Sequence, residues 1–338
     1  GPFELSVASN RLCLDANEGF YGSAMKPGYA SAVGMSKYFG GWDTLYRNLN
    51  VHPNAYELDE KEYDSSLFRR LMFAQRDLRW EFMRSEDKTE ANKKRLWELY
   101  RQLVDSIIVT DIGELIRKFT GGPSGSTNTV VDNTICLFRL VSYAFIRLAK
   151  ERAISVTYSS FLLNVALALY GDDNSYTVSD MVNQWFVPAA IAREWSSIGV
   201  ITKTPSENSR LLKDIMFLSN GFVFSEEYRM WFPRPEKDKV LSSLMWGSNL
   251  DDVRWHYLRA CALLMDSYWN FEVRDTIRDY LAYLHRYHGA ALVGTVKGID
   301  FKEIKNMWRS NLWIEGLYAG RESVVRNKIV KTLETVLI

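Results

Sequence analysis

The chain has 338 residues and a mass of 39.1 kDa, with 47% hydrophobic, 25% charged and 14% aromatic residues. That is ample chain for a real core in one large domain or two modest ones, and it excludes disordered, collagenous and low-complexity classes. Lys and Arg total 42 against 41 Asp and Glu, a net charge of +1, so an anionic partner must be held by local patches rather than by bulk steering.

The first fifty residues are rich in Tyr and Gly (Gly19, Gly22, Gly28, Gly34, Gly40, Gly41), which predicts irregular structure with short elements. Residues 56–59 predict a short strand. Residues 65–85 carry Leu67, Leu71, Leu78 and Phe82 on one helical stripe, with Arg69, Arg70, Arg76 and Arg79 on other faces. Residues 88–108 repeat the pattern through Leu96, Leu99, Leu103 and Ile107. Gly121-Gly122-Pro123-Ser124-Gly125 is a loop by composition, and a long helix is predicted over 127–152 with Val130, Thr134, Leu137, Val141 and Phe145 as its stripe.

Residues 161–169 form an apolar, strand-length run. It ends at Tyr170-Gly171-Asp172-Asp173 before β-prone residues 175–178, which predicts a hairpin. A helix over 181–197 and a strand over 199–202, bounded by Pro205, follow. Residues 217–224 and 228–232 predict a second hairpin. From Lys239 the pattern is helical, over 240–246, 251–269 and 271–287. The tail from 301 to 338 carries seven Lys or Arg against four Glu. Residues 233–238 are expected to divide a mixed part from an all-helical one.

Three widely spaced cysteines, Cys13, Cys136 and Cys261, exclude a disulfide framework and a metal knuckle, and they fit a reducing compartment. The longest apolar run, 161–169, is nine residues and contains Asn164, so no transmembrane segment is expected. Gly1-Pro2 without a Met reads as a protease scar, and the natural protein is expected to extend upstream.

Three clusters offer chemistry. Asp172 and Asp173 sit at a turn after a buried run, where adjacent carboxylates repel unless a cation neutralises them. An ordinary Asp-rich turn explains them equally well. Asp59 ends a strand, and Asp64 follows where the chain enters a helix. Helix capping accounts for Asp64 but not for Asp59. The loop at Ser124-Gly125 leads into a helix presenting Thr129 and Asn133 four residues apart on one face, although a cap after a Gly turn gives the same local pattern. Taken together, carboxylates from two strands suit two divalent cations and in-line phosphoryl transfer. Asp64, Thr129 and Asn133 suit a shelf for a ribose 2′-hydroxyl.

In this order, Asp59-x4-Asp64, Ser124-Gly125-x3-Thr129-x3-Asn133 and Tyr170-Gly171-Asp172-Asp173 resemble motifs A, B and C of positive-strand RNA virus RNA-dependent RNA polymerases. Gly121 to Gly125 and Asp132-Asn133, with Phe39-Gly40-Gly41-Trp42 ahead of motif A, look most like astroviruses and relatives in the picornavirus-like supergroup. The resemblance covers residues 36–246. It implies an α+β right-hand fold: residual fingers or linking segment at 1–50, a palm with an antiparallel sheet at 51–238 carrying a fingers-side helical insertion at about 68–120, and a helical thumb at 239–338. It implies Mg²⁺ or Mn²⁺ at Asp59, Asp172 and Asp173. It implies nucleotide handling by Asp64, Ser124, Gly125, Thr129 and Asn133, and a primer-grip hairpin starting at Phe217-Leu218-Ser219. The implied partners are an RNA template, a primer or product strand, nucleoside triphosphates and other viral replication proteins. The implied location is the host cytoplasm, at replication complexes.

Two features depart from the family pattern. No Lys/Arg cluster precedes Asp59, where the family's basic motif F normally lies; Arg11 and Lys26 are isolated, so the fingers are expected to be largely missing or truncated. Where many relatives read Thr-Pro-x-x-Lys, this chain reads Thr204-Pro205-Ser206-Glu207-Asn208, which leaves Lys203 as the nearest general acid. A solvated Lys at a strand end reads as well. The rival functions are a truncated RNA- or protein-binding module and a reverse transcriptase-like palm. His285-x-x-His288 lacks a third ligand and reads as helix surface. Trp246, Trp255 and Trp269 are expected in the thumb core. The positives between Lys302 and Lys331 are candidates for contact with exiting duplex, and the mixed charges from Arg69 to Arg101 read first as a solvated helix face and second as the lining of an RNA channel.

Overall fold

The computed structural model describes residues 3–203, 208–246, 251–296, 299–300 and 309–321. Its contacts divide the chain into two units, residues 1–35 with 47–218 and residues 36–46 with 219–338. The expected boundary at 238 lies inside the second unit, which takes in the second hairpin. The Thr204 to Glu207 stretch and most of the basic tail, including Lys302 and Lys331, lie outside the described residues.

The first unit opens with a 19-residue helix, α1 (Phe3–Tyr21), where irregular structure was expected. Its buried face carries Ser9, Cys13 and Asn17 at helical spacing, so the usual apolar stripe is absent. After α2 (Gly41–Leu49), whose residues 41–46 belong to the second unit, come β1 (Asn54–Leu58), α3 (Tyr63–Ser66), α4 (Arg69–Phe82) and α5 (Glu90–Val104). The single helix expected over 65–85 is therefore two, broken by extended backbone at Leu67 and Phe68. Helix α5 stops short of Ile107, which enters an exposed ribbon, β2 (Ile107–Val109) and β3 (Leu115–Arg117).

Helix α6 (Thr129–Glu151) follows, then α7 (Tyr158–Asn164), β4 (Val165–Tyr170) and β5 (Asp173–Val178). The run expected as one strand over 161–169 thus begins as helix. Thr157 and Ser160 form a reciprocal capping box that starts α7, in which Phe161 is buried in the core while Leu162 and Leu163 are exposed. The helix expected over 181–197 is likewise split into α8 (Asp180–Asn183) and α9 (Pro188–Ser196). Pro188 sits at the start of α9 and holds Val187 extended. Residues 199–202 form no strand; a single bridge joins Thr202 to Glu60.

Strands β1, β5 and β4 make an antiparallel sheet in that order. Leu58 pairs with Asn174, and Tyr170 pairs with Asp173 across a two-residue turn. Helix α6 lies on this sheet. Leu137, Leu140, Val141 and Phe145 meet Leu167, Leu169 and Tyr176, with Phe186, Ile191 and Trp195 completing the core. Each such side chain contributes about 1.5–3 kcal/mol on burial. Among the described residues α6 is also the one helix long and apolar enough to cross a membrane, against the expectation of none, but 61% of that window is buried inside the fold, as suits a core helix. The three cysteines are buried and free.

The second unit combines residues 36–46 with the hairpin β6 (Asn220–Ser225) and β7 (Met230–Pro235) and helices α10 (Lys237–Met245), α11 (Val253–Asp266) and α12 (Phe271–His288). A short ribbon, β8 (Thr295–Val296) and β9 (Ile299–Asp300), and α13 (Asn311–Ala319) complete it. The hairpin starts at Asn220, after two left-handed residues, Leu218 and Ser219, rather than at Phe217. Phe232 stacks on Trp269 at 3.9 Å between ring centres, and Tyr228 and Tyr318 close around them. Trp269 is core as expected, but Trp246 is 73% exposed. The Phe39-Gly40-Gly41-Trp42 segment is held in this unit: the Phe39 and Gly40 amides donate to the Leu317 and Tyr318 carbonyls, and the Trp231 amide donates to Asp43.

Candidate active site

One end of the three-stranded sheet gathers the predicted carboxylates. Asp172 is the second residue of the β4–β5 turn, and Asp173 is the first residue of β5. Gly171, with φ +65°, supplies the left-handed conformation that this tight turn needs. Asp59 follows β1 by one residue, so the register that pairs Leu58 with Asn174 carries it level with Asp173. Asn174 locks that register: its side chain accepts from the Leu58 amide at 3.1 Å and donates to the Leu58 carbonyl at 3.0 Å.

Lys203 faces Asp59. Its ammonium lies 3.0 Å from both carboxylate oxygens, and its backbone amide donates to the Asp59 carbonyl at 2.6 Å. The Thr202–Glu60 bridge and the Lys61 amide on Ile201 extend this pairing. Both side chains of the ion pair are more than half exposed.

Glu60 turns inward and is 4% exposed. Burial, together with the charges of Asp172, Asp59 and Asp173, pushes its carboxyl up to about 8. One of its oxygens takes a long bond from Asn174, and the other has no hydrogen-bond partner among the described residues. The carboxylates are therefore close enough to act on one another, although among the described residues no three His, Cys, Asp or Glu side chains converge into a metal-sized group. His285 and His288 accordingly remain helix surface.

The second cluster lies on α3, the Gly-rich loop and α6. Asp64 sits inside α3 and is not its cap, a position that Glu62 fills with a left-handed backbone. Its two carboxylate oxygens accept from the Ser124 hydroxyl and the Asn133 amide, each at 2.5 Å. The loop is pressed onto the same turn: the Gly122 amide donates to the Asp64 carbonyl at 2.8 Å. A Cβ on Gly121, whose φ is +79°, would lie 3.0 Å from that carbonyl oxygen. Gly125, by contrast, has nothing within 4 Å of a would-be Cβ. Thr129 does not join Asp64; its hydroxyl donates to the carbonyls of Pro123 and Ser126 and so shapes the loop.

Three contributors were not singled out from the sequence. Glu60 and Asn174 stand beside the marked Asp residues, but their roles depend on strand register. Thr134 reads as part of an apolar stripe, yet its hydroxyl accepts from the Gly171 amide at 2.8 Å and ties α6 to the carboxylate turn.

The family of viral RNA-dependent RNA polymerases matches residues 1–285. The genome polyprotein of Plum pox potyvirus (strain SK 68) is 27% identical over 283 residues, covering 82% of this chain and 8% of the polyprotein. That of bean yellow mosaic virus is 28% identical over 269 residues, covering 79% and 8%. The chain thus spans about a twelfth of these relatives' length. In fold, it is similar to the Sicinivirus 3Dpol RNA-dependent RNA polymerase, with a TM-score of 0.65, 17% identity, and coverage of 91% of this chain and 61% of that one. These relatives are potyviral and picornavirus-like and do not bear on the finer likeness to astroviruses.

Proposed function

The chain belongs to the viral RNA-dependent RNA polymerase family, and on that premise we propose that it forms the palm and thumb of such an enzyme, adding ribonucleotides to a primer or product strand on an RNA template. The observation that carries this reading is the sheet end itself: strand register and a two-residue turn bring Asp59, Asp172 and Asp173 to one edge, with Asp64, Ser124 and Asn133 joined beside the same strand. The first unit corresponds to the palm with its helical insertion and the second to the thumb.

The carboxylates fit a divalent cation in chemistry and charge. They are hard oxygen donors gathered at one sheet end, and their charges reach Glu60, whose carboxyl is raised chiefly by burial. Asp59, Asp172 and Asp173 would hold Mg²⁺ or Mn²⁺, with Asp59 exchanging Lys203 for the ion. Such ions, when bound, activate a 3′-hydroxyl and neutralise charge on departing pyrophosphate. Asp64, Ser124 and Asn133 present acceptor and donor to a ribose 2′-hydroxyl, which suits RNA over DNA substrates and disfavours a reverse transcriptase-like role. Thr129 contributes by holding the loop. Lys203, once released from Asp59, carries a proton at Nζ beside the leaving group and serves as general acid. The setting is host-cell viral replication, in the cytoplasm and with other viral replication proteins.

Primer extension on an RNA template with Mg²⁺ or Mn²⁺ tests the proposal. Ribonucleotide addition by the wild type, lost in Asp172→Ala, is expected. Metal and RNA binding without any addition would favour a binding module instead.

A further inference from the structure

Helix α6 presents three consecutive residues in three directions, because successive side chains on a helix turn by about 100°. Asn133 points to Asp64, and Thr134 holds the Gly171 amide. Asp132 points the other way, into the interior, where nothing in the proposed reaction uses it. Its carboxylate accepts from the Arg79 guanidinium on α4 at 2.7 Å and from the Tyr100 hydroxyl on α5 at 2.8 Å. Arg79 donates on to Asn17 of α1 at 2.8 Å. Asn17 donates to Asn128, just before α6, at 2.9 Å, and Asn128 donates to Ser9 of α1 at 2.9 Å.

This network is buried throughout: Arg79 and Asp132 are each 4% exposed, and Tyr100 and Asn128 are fully covered. Burying an ion pair costs more than filling the space with apolar side chains, so stability alone does not account for it. A guanidinium fork with fixed donors does set a direction, which an apolar contact does not. Here the direction set is that of the first turn of α6, approached from three other helices at once.

We propose that Arg79 is a positioning residue: through Asp132 it fixes the rotation of the first turn of α6, and with it the Asn133 amide on Asp64 that reads the ribose. The ribose part rests on the polymerase reading above. The anchoring part stands on the contacts of Asp132 alone.

The test is the double variant Arg79→Met with Asp132→Leu, which removes both charges and leaves no buried ion unpaired. Two quantities are read: amide hydrogen exchange across residues 129–134, and the ratio of kcat/KM for ribonucleotide over 2′-deoxynucleotide. The expected result is a folded protein melting near wild type, with exchange in that turn faster by about tenfold. Ribose preference should fall several-fold, on the scale of one weakened hydrogen bond. Tyr100→Phe, which removes one bond to Asp132, should move both readouts in the same direction by less, and it replaces the double variant if that does not fold. Unchanged exchange in a folded variant overturns the proposal, as does faster exchange with unchanged sugar preference. If the wild type adds no nucleotide, the polymerase reading fails, and the exchange result alone decides whether Arg79 sets this turn.

Discussion

Two ion pairs in the first unit show how the same chemistry serves opposite ends. Asp59–Lys203 is exposed at the sheet end, with its side chains 70% and 57% accessible; Arg79–Asp132 is buried, at 3% and 5%. An exposed pair is worth about 0–1 kcal/mol, so water, a cation or a substrate exchanges for either partner cheaply. Removing one partner of a buried pair leaves an uncompensated charge at a cost of about 3–5 kcal/mol. The molecule thus keeps an exposed, exchangeable pair at the sheet end and a buried pair at the first turn of α6. The backbone around Lys203 is itself paired to residues 59–61, so what exchanges is the side chain and not the backbone.

Breaking either side of this comparison gives graded expectations. The largest is catalytic: Asp172→Ala at the exposed end should reduce nucleotide addition to background while the circular dichroism spectrum and melting temperature stay close to wild type. Near-normal addition with Mg²⁺ would remove Asp172 from the site. Next is Arg79→Ala, which strands Asp132 in the interior; denaturant unfolding should show a loss of about 3–5 kcal/mol. A change under 1 kcal/mol, by order of magnitude, would mean that water reaches Asp132 and that the pair is not the fixed one described.

Smaller is Asn133→Ala, which removes one hydrogen bond to Asp64. At about 0.5–1.5 kcal/mol, it should cut ribose over deoxyribose preference several-fold in steady-state incorporation. A slower enzyme with the same preference would make Asn133 structural. The smallest concerns Lys203→Ala, which should shift stability in metal-free buffer by no more than about 1 kcal/mol. A much larger loss in chemical denaturation would show that the exposed pair is not readily exchanged.

The motifs were legible because each is local. The Gly-rich loop and the Gly171-Asp172 turn fall where their composition predicts, while Asp59 lies one residue past β1, Asp64 sits inside α3, and β4 begins only at Val165, after α7. What was hidden depends on partners far along the chain. Helix α1 lacks a plain apolar stripe because two of its three buried residues, Ser9 and Asn17, join a polar network, and only Cys13 of the three lies in an apolar cluster. The Asp132–Arg79 pair joins residues 53 positions apart, so no local spacing marks it. The position of Lys203 beside a motif suggests a proton donor, whereas its contact with Asp59 follows from backbone pairing with residues 59–61 across 144 residues. Thr129 went the other way: its spacing suggested the sugar shelf, while the loop carbonyls claim its hydroxyl.

The central claim is that Asp59, Asp172 and Asp173 together bind the divalent cation, with Lys203 holding Asp59 until it arrives. A Mg²⁺ titration of melting temperature across wild type, Asp172→Ala and Lys203→Ala tests it directly, since a ligand that binds the folded state raises its stability as concentration passes the dissociation constant. The account predicts a rise in wild type, the same rise at lower Mg²⁺ in Lys203→Ala, and its loss in Asp172→Ala. An equal rise at equal Mg²⁺ in all three proteins would place the ion elsewhere and contradict the account.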